Sequence, residues 1–494
     1  MKKLILLVLT FSMLLTLMIG CKKTNDTTDT GETTAAESGS ETKKTGKDET
    51  PKGSDDDTMS TYDFEDATFT VLTRSDTKYE FKSDKGLGGD TVDRAVYKRN
   101  YNVAERFNAN IEVIDKTGHW EARDEFLSEV RAEAMGGSGG YDLVSTHSVY
   151  LGWMTIEGLA YDMATLPEIN FAKAWWNQNL YDEININGKV YFMLGDICTT
   201  TYEYMQVMFF NEERFQSDFT DRDVNEIYQL VENGEWTWDE LFSYAKEFGG
   251  DGEYGFMTNI HAFRAAFSAQ DAYIFTRDDK GDMILPDAPS DKLIDIVEKM
   301  VVNYNHEKTY FYTAQWDTGA SVLNTEFTGG RALFYSQTLG EVTKFGSMKD
   351  GSYGVIPIPK YDTYQEKYYT ICRNTVSAVM IITTTDAPEM SGVLTEALCM
   401  EGYNVVTPEY YEIVLKNRYF SDAKYAKILD TIRDGLTIQI ASSYIEGAPD
   451  HDTFLSQVRN GQSGQVVSAY DGIVTSGQNL LNNFYSKLQR DGLY

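Results

Sequence analysis

The patterns in this chain that would announce catalysis fail on their surroundings. Gly136-Gly137-Ser138-Gly139-Gly140 fits G-x-S-x-G, yet a nucleophile elbow needs a strand before the serine and a helix after it. Here a helical run precedes and a strand-like run follows, so the stretch reads as a helix C-cap and turn. The five histidines, at 119, 147, 261, 306 and 451, include no i, i+4 pair and no HExxH, which removes support for a metallohydrolase. Gly86-Leu-Gly-Gly-Asp90 lacks the Lys-Ser/Thr of a phosphate-binding loop. Asp278-Asp-Lys-Gly-Asp282 has neither the spacing nor the closing Glu of a calcium loop and reads as a hairpin tip. No cofactor and no metal are therefore expected. What remains is a set of rings and hydrogen-bonding groups at the ends of predicted strands: Arg74 and Asp76, Tyr150 and Trp153, Asp196 and Tyr202. Their chemistry is stacking and hydrogen bonding.

The elements that must position them alternate in type. Ala67–Thr73 reads as a strand, Thr91–Phe107 as a helix with Val92, Val96, Val103 and Phe107 on one face, and Ile111–Ile114 as a strand. Trp120–Met135 is helical again and Tyr141–Thr146 is a third strand. Strands alternating with helices imply parallel pairing in an α/β lobe, with ligands beyond the carboxyl ends of the strands. The loops 74–76 and 147–150, with Trp153 just behind, follow as the candidates. Asn187-Gly188 is a two-residue hairpin signal between a strand ending at Ile186 and another over Val190–Leu194. Met205–Phe210 is a buried strand, and the polar passage Gly195–Tyr202 before it suits a crossing between two lobes. Further on, Thr237-Trp-Asp-Glu240 is a capping box opening a helix, Ser290–Asn303 is helical, and Thr407-Pro408 caps another helix.

At 494 residues the chain exceeds one hydrophobic core, so two lobes are the default. The formal net charge of −32 opposes nucleic acid, anionic lipid and strongly anionic ligands. Residues 1–21 carry Lys2 and Lys3 ahead of a short apolar run, an export signal rather than a spanning helix. Their Met18-Ile-Gly-Cys21 ending resembles a bacterial lipoprotein signal, with lipidation at Cys21; ordinary secretion or an uncleaved anchor are the alternatives. Residues 22–60 have almost no large apolar side chain and read as a disordered tether.

The segment NGKVYFMLGD followed by MFFNEERF resembles the point where bacterial extracellular solute-binding proteins of the carbohydrate class leave their first lobe. WTWDEL at 236–241, GRALFYS at 330–336 and YGVIPIPK at 353–360 are similar to later stretches of that family. The resemblance implies a two-lobed periplasmic-binding-protein-like α/β fold, each lobe a mostly parallel sheet flanked by helices, with the ligand cleft between lobes. Lobe 1 would comprise 61–200 and 371–437, and lobe 2 would comprise 201–370 and 438–494. It adds Trp316, Tyr335 and Arg373 to the ligand-binding candidates Arg74, Asp76, Tyr150, Trp153, Asp196 and Tyr202. The implied function is capture of a carbohydrate for the permease subunits of an ABC importer, from a position lipid-anchored on the extracytoplasmic face. An anchored glycosidase using two carboxylates, or a binder of a peptide or other solute, is the rival reading. Cys198 and Cys372 fall in the two implied crossings, where they are either bridged or two buried thiols.

Overall fold

The computed structural model describes residues 59, 61–312, 316–349, 351–411, 420 and 423–490, all within the unit Lys52–Tyr494. Among them the strands are, in chain order, β1 (Ala67–Arg74), β2 (Ala109–Lys116), β3 (Leu143–His147), β4 (Gln206–Phe210) and β5 (Tyr254–Asn259). Next come β6 (Thr276–Arg277), β7 (Met283–Ile284), β8 (Thr309–Tyr312), β9 (Ala332–Thr338) and β10 (Gly354–Ile356). The last are β11 (Thr370–Ile371), β12 (Ser377–Ile381) and β13 (Leu436–Thr437).

They form a two-lobed α/β fold. The first sheet has the order β12-β3-β1-β2. Within it β1 is parallel to both β2 and β3, as alternating strands and helices demand, and β12 returns antiparallel to β3. The helix between β1 and β2 runs over Thr91–Phe107, begins where Asp90 accepts from the Asp93 N–H, and stops at Asn108 with φ +46°. Val96, Val103 and Phe107 of that helix are buried. The second helix, Arg123–Gly136, ends at Gly137 with φ +56°, the turn that the glycine run required.

The second sheet, β10-β4-β9-β5-β8, is mixed rather than mostly parallel: β5 is parallel to β8 and β9, while β4 is antiparallel to β9 and β10. Its faces bury large rings, with Phe209, Phe327, Tyr335 and Phe345 in one cluster and Trp238, Phe242, Phe256 and Tyr304 in another. Thr237 caps the helix Trp238–Glu247 by accepting from the Glu240 N–H, as its capping box requires.

Three segments meet where the two sheets are joined. Met205 bridges Cys372, and β11 is parallel to β13, with the Cys372 N–H donating to the Thr437 carbonyl. The first segment is not extended throughout: Thr200–Glu203 is a short helix. Two neighbouring expectations also change. Asn187-Gly188 does turn, with φ +50° and +82°, but Val190–Leu194 forms no strand and is buried with only Met193 bridged to Val379. Thr407 starts no new helix; the helix Pro388–Glu401 widens directly into a π-helical stretch, Gly402–Val406.

Downstream, the helix Ile440–Tyr444 packs on the first lobe: a Cβ on Gly152 would lie 1.8 Å from the Ser443 carbonyl oxygen, so glycine is required there. The long helix Val466–Arg490 instead reaches the β6–β7 hairpin, where the Met283 N–H donates to the Tyr485 hydroxyl. Cys198, Cys372 and Cys399 are buried free thiols, which decides the cysteine question for two unbridged thiols.

Candidate functional site

The carboxyl ends of β1 and β3 carry one group of side chains. Arg74, the last residue of β1, is wholly buried and donates from Nε and Nη2 to the two oxygens of Asp76, at 3.0 and 3.1 Å. Burial would raise the Asp76 carboxyl, but Arg74 outweighs it and holds the group below its usual range. Arg74 Nη1 also lies 2.6 Å from His147 Nδ1, which is 2.5 Å from the Thr375 carbonyl oxygen. Desolvation, and then the Arg74 charge, push His147 down to about 3, so the ring is neutral and the hydrogen-bonded counter-ion of the arginine is Asp76.

Residues 148–150 are not a loop. The helix Ser148–Thr155 starts directly after β3, so Tyr150 and Trp153 project on one side of it, three residues apart. Their rings meet at 5.7 Å, and Trp120 completes the group at 6.0 Å from Tyr150 and 6.3 Å from Trp153. Trp120 is 43% exposed, whereas Tyr150 and Trp153 are buried. The Tyr150 hydroxyl and the Trp153 indole N–H have no hydrogen-bond partner among the described residues.

A small cavity beside the crossings is lined by Gln206, His261, Arg264, Arg373, Asn374, Gln439, Ser442 and Asp450. The two groups meet at residues 373–375: the Ser148 hydroxyl and the Val149 N–H both donate to the Asn374 carbonyl, and Thr375 contacts His147. Gln206 opens β4, is 1% exposed, and leaves both its amide nitrogen and its amide oxygen without a hydrogen-bond partner among the described residues. Arg264 is neutralised by Asp452, at 2.8 Å from Nε, and by Asp450 at 3.6 Å. Arg373 lies over the Tyr204 ring at 5.7 Å, and burial lowers it to about 10; His261 is lowered by burial and by Arg373 to about 2. A groove with one exposed ring, two arginines held by carboxylates and unsatisfied neutral hydrogen-bonding groups suits an uncharged, hydroxyl-rich molecule.

Of the residues expected from sequence, Arg74, Asp76, Tyr150, Trp153 and Arg373 come together here. Tyr335 does not. It is fully buried in the second sheet, its hydroxyl donates to Asn324 Oδ1 at 3.0 Å and accepts from Gln337, and its ring packs on Phe327 and Phe209, so it is a core residue. Asp196 and Tyr202 bond to each other in a separate cluster with Thr407. Trp316 begins the helix Trp316–Thr328 rather than a loop, and its side chain lies outside the described residues. Gln206 and Trp120 were missed, although each left a trace: Gln206 is the one polar residue of the run Met205–Phe210, and Trp120, expected to open a helix, stands in a 3-10 turn ahead of the helix Arg123–Gly136, whose aromatic Phe126 is internal. Among the described residues no helix is long and apolar enough to cross a membrane.

Comparison with known proteins agrees with this architecture. The structure is similar to the sugar-binding protein MalE from Xanthomonas citri, at 13% identity and a TM-score of 0.58, over 86% of this chain and 99% of that one. It is similar to the galacto-N-biose-/lacto-N-biose I-binding protein of the ABC transporter from Bifidobacterium longum, at 13% identity and a TM-score of 0.52, over 87% and 99%. A third likeness is to the extracellular solute-binding protein from Staphylococcus aureus in complex with maltose, at 13% identity and a TM-score of 0.54, over 85% and 98%. No curated protein sequence matches the chain. At such identities these structures establish the fold. The sequence profile of bacterial extracellular solute-binding proteins matches residues 119–399, more than half of the chain, and the protein belongs to that family.

Proposed function

We propose that the protein captures a carbohydrate, an oligosaccharide in particular, in the groove between its lobes and delivers it to the permease subunits of an ABC importer. The observation that carries this reading is the combination of Gln206, Tyr150 and Trp153, whose buried polar atoms lack partners, with the exposed Trp120 ring beside them. Sugar hydroxyls satisfy such groups, and the C–H faces of a pyranose stack on such rings. Arg74, Asp76 and Arg373 supply further polar contacts, and Asn374 and Gln439 extend the set. Sugar complexes of the Bifidobacterium and Staphylococcus proteins, which share the fold, support the same reading.

The lobes in this reading are 61–200 with 371–437, and 201–370 with 438–494, of which the helix Ile440–Tyr444 leans on the first lobe. Rotation about the three crossing segments closes them over the ligand, and the closed form is favoured by the contacts it alone makes. Residues 1–21 direct export, Cys21 carries the lipid, and residues 22–60 tether the body to the extracytoplasmic face. Ligand is held without bond cleavage. A thermal-shift screen of the mature protein against neutral oligosaccharides tests this: a saturable rise in Tm with unchanged glycan is the expected result. Glycan hydrolysis, or a response to peptides alone, would replace the proposal with its rivals.

A further inference from the structure

A second cavity, of about 300 Å³, lies apart from the groove. Trp175 and Trp176 line it from the segment before the helix Gln178–Ile184, and Asp196 and Tyr202 from the first crossing. Tyr403 enters from the π-helical stretch, and Arg433 precedes β13.

Lys173, Asp196, Arg433 and Asp434 bring charge to its wall, and two of them, Asp196 and Arg433, keep hydrogen-bonding capacity to spare. Asp196 is 7% exposed; its Oδ1 accepts from both the Tyr202 and the Thr407 hydroxyls, while Oδ2 accepts no hydrogen bond among the described residues. Arg433 lies over the Tyr411 ring at 5.1 Å and makes no hydrogen bond among them either, its nearest carboxylates being Asp430 at 3.9 Å and Asp434 at 4.0 Å. Arg433 and Asp196 do not pair with each other. A buried carboxylate with no cation within ion-pairing distance among the described residues is costly, and a planar guanidinium without a bidentate partner forgoes its strongest contact. The π-helical widening that brings Tyr403 to the cavity is itself a rare feature that concentrates at functional sites.

We propose that this cavity binds a small zwitterion, its ammonium group donating to Asp196 Oδ2 and its anionic end accepting from Arg433. The Trp175, Tyr202 and Tyr403 side chains enclose the ammonium end, where ring faces favour a cation. Because Tyr202 and the Arg433–Leu436 turn belong to two of the three crossing segments, such a ligand rests against the connection between lobes rather than in the groove.

The test is calorimetric titration of the mature full-length chain with 4-aminobutyrate, butylamine and butyrate in parallel. Saturable binding of 4-aminobutyrate, with butylamine and butyrate weaker by about tenfold or more, is the expected result. Asp196→Asn, which keeps the Oδ1 acceptor, and Arg433→Met, at a partly exposed position, each lower 4-aminobutyrate affinity by a similar factor, whereas Gln206→Met leaves it unchanged. Equal response to all three probes, no response to any, or retention of binding in Arg433→Met overturns the proposal. Loss of binding in Gln206→Met would do the same, since it would assign the zwitterion to the groove.

Discussion

Replacing Gln206 by Met separates a residue kept for ligand from one kept for the fold. The side chain is 1% exposed and neither polar atom of its amide has a partner, so the ligand-free protein buries an unsatisfied donor and an unsatisfied acceptor. An unsatisfied buried group costs about 1–3 kcal/mol, and Met has nearly the same length and volume, which limits the repacking penalty to below about 1.5 kcal/mol. Gln206→Met is therefore expected to raise the unfolding free energy of the ligand-free protein by about 1–3 kcal/mol. The same substitution removes two contacts to the solute and weakens binding by about 1–3 kcal/mol, or roughly 5- to 150-fold in Kd. Urea unfolding without ligand and calorimetric titration with the oligosaccharide selected by the thermal-shift screen read the two effects independently. Opposite signs in stability and affinity are the signature of a binding group held at the expense of the fold. A variant that is less stable and binds normally would refute the reasoning, because Gln206 would then be a structural residue.

Trp120→Ala should weaken oligosaccharide binding by about 1–3 kcal/mol while changing stability by less than about 1 kcal/mol, since the ring is largely outside the core; titration and urea unfolding decide this. Tyr335→Ala should do the reverse, costing about 3–5 kcal/mol in unfolding free energy with solute affinity retained in the folded fraction. Asp196 gives a pH signature: burial raises its pKa from 3.8 to about 6, so the folded state holds a proton that the unfolded chain has released, and stability is lost as pH rises from about 4 to about 6. Asp196→Asn should accordingly gain on the parent across that window, by at most about 3 kcal/mol, and keep a constant advantage above it. A pH-independent difference between the two would show that the carboxyl is not desolvated.

Local patterns carried much of this structure because they are decided by neighbours in sequence. The helix Thr91–Phe107 appears with its expected ends, since Asp90 satisfies the first turn and Asn108 tolerates the positive φ that stops it. The turn at Asn187-Gly188 and the capping box at Thr237 form for the same kind of reason. Family membership was equally legible, through short motifs in a fixed order. Failures arose where long-range packing overrode local preference. Val190–Leu194 has the composition of a strand, yet its neighbourhood offers only one bridge, to Val379, and it is buried without a ladder. Tyr335 lies in a strand facing rings from Phe327 and Phe345 in the elements on either side and from Phe209 more than a hundred residues earlier, and only their convergence makes it core.

The site divides in the same way. Arg74 and Asp76 are two residues apart and pair as their spacing permits, so sequence alone brought them to the end of β1. That Gln206 lacks partners, that Trp120 stacks on Tyr150, and that Asp196 is held away from Arg433 depend on which surfaces remain after both lobes and three crossings have packed. A hydrogen-bonding residue type is written in the chain; whether its bond is made is decided by everything folded around it, and it is on such unmade bonds that the proposed binding site rests.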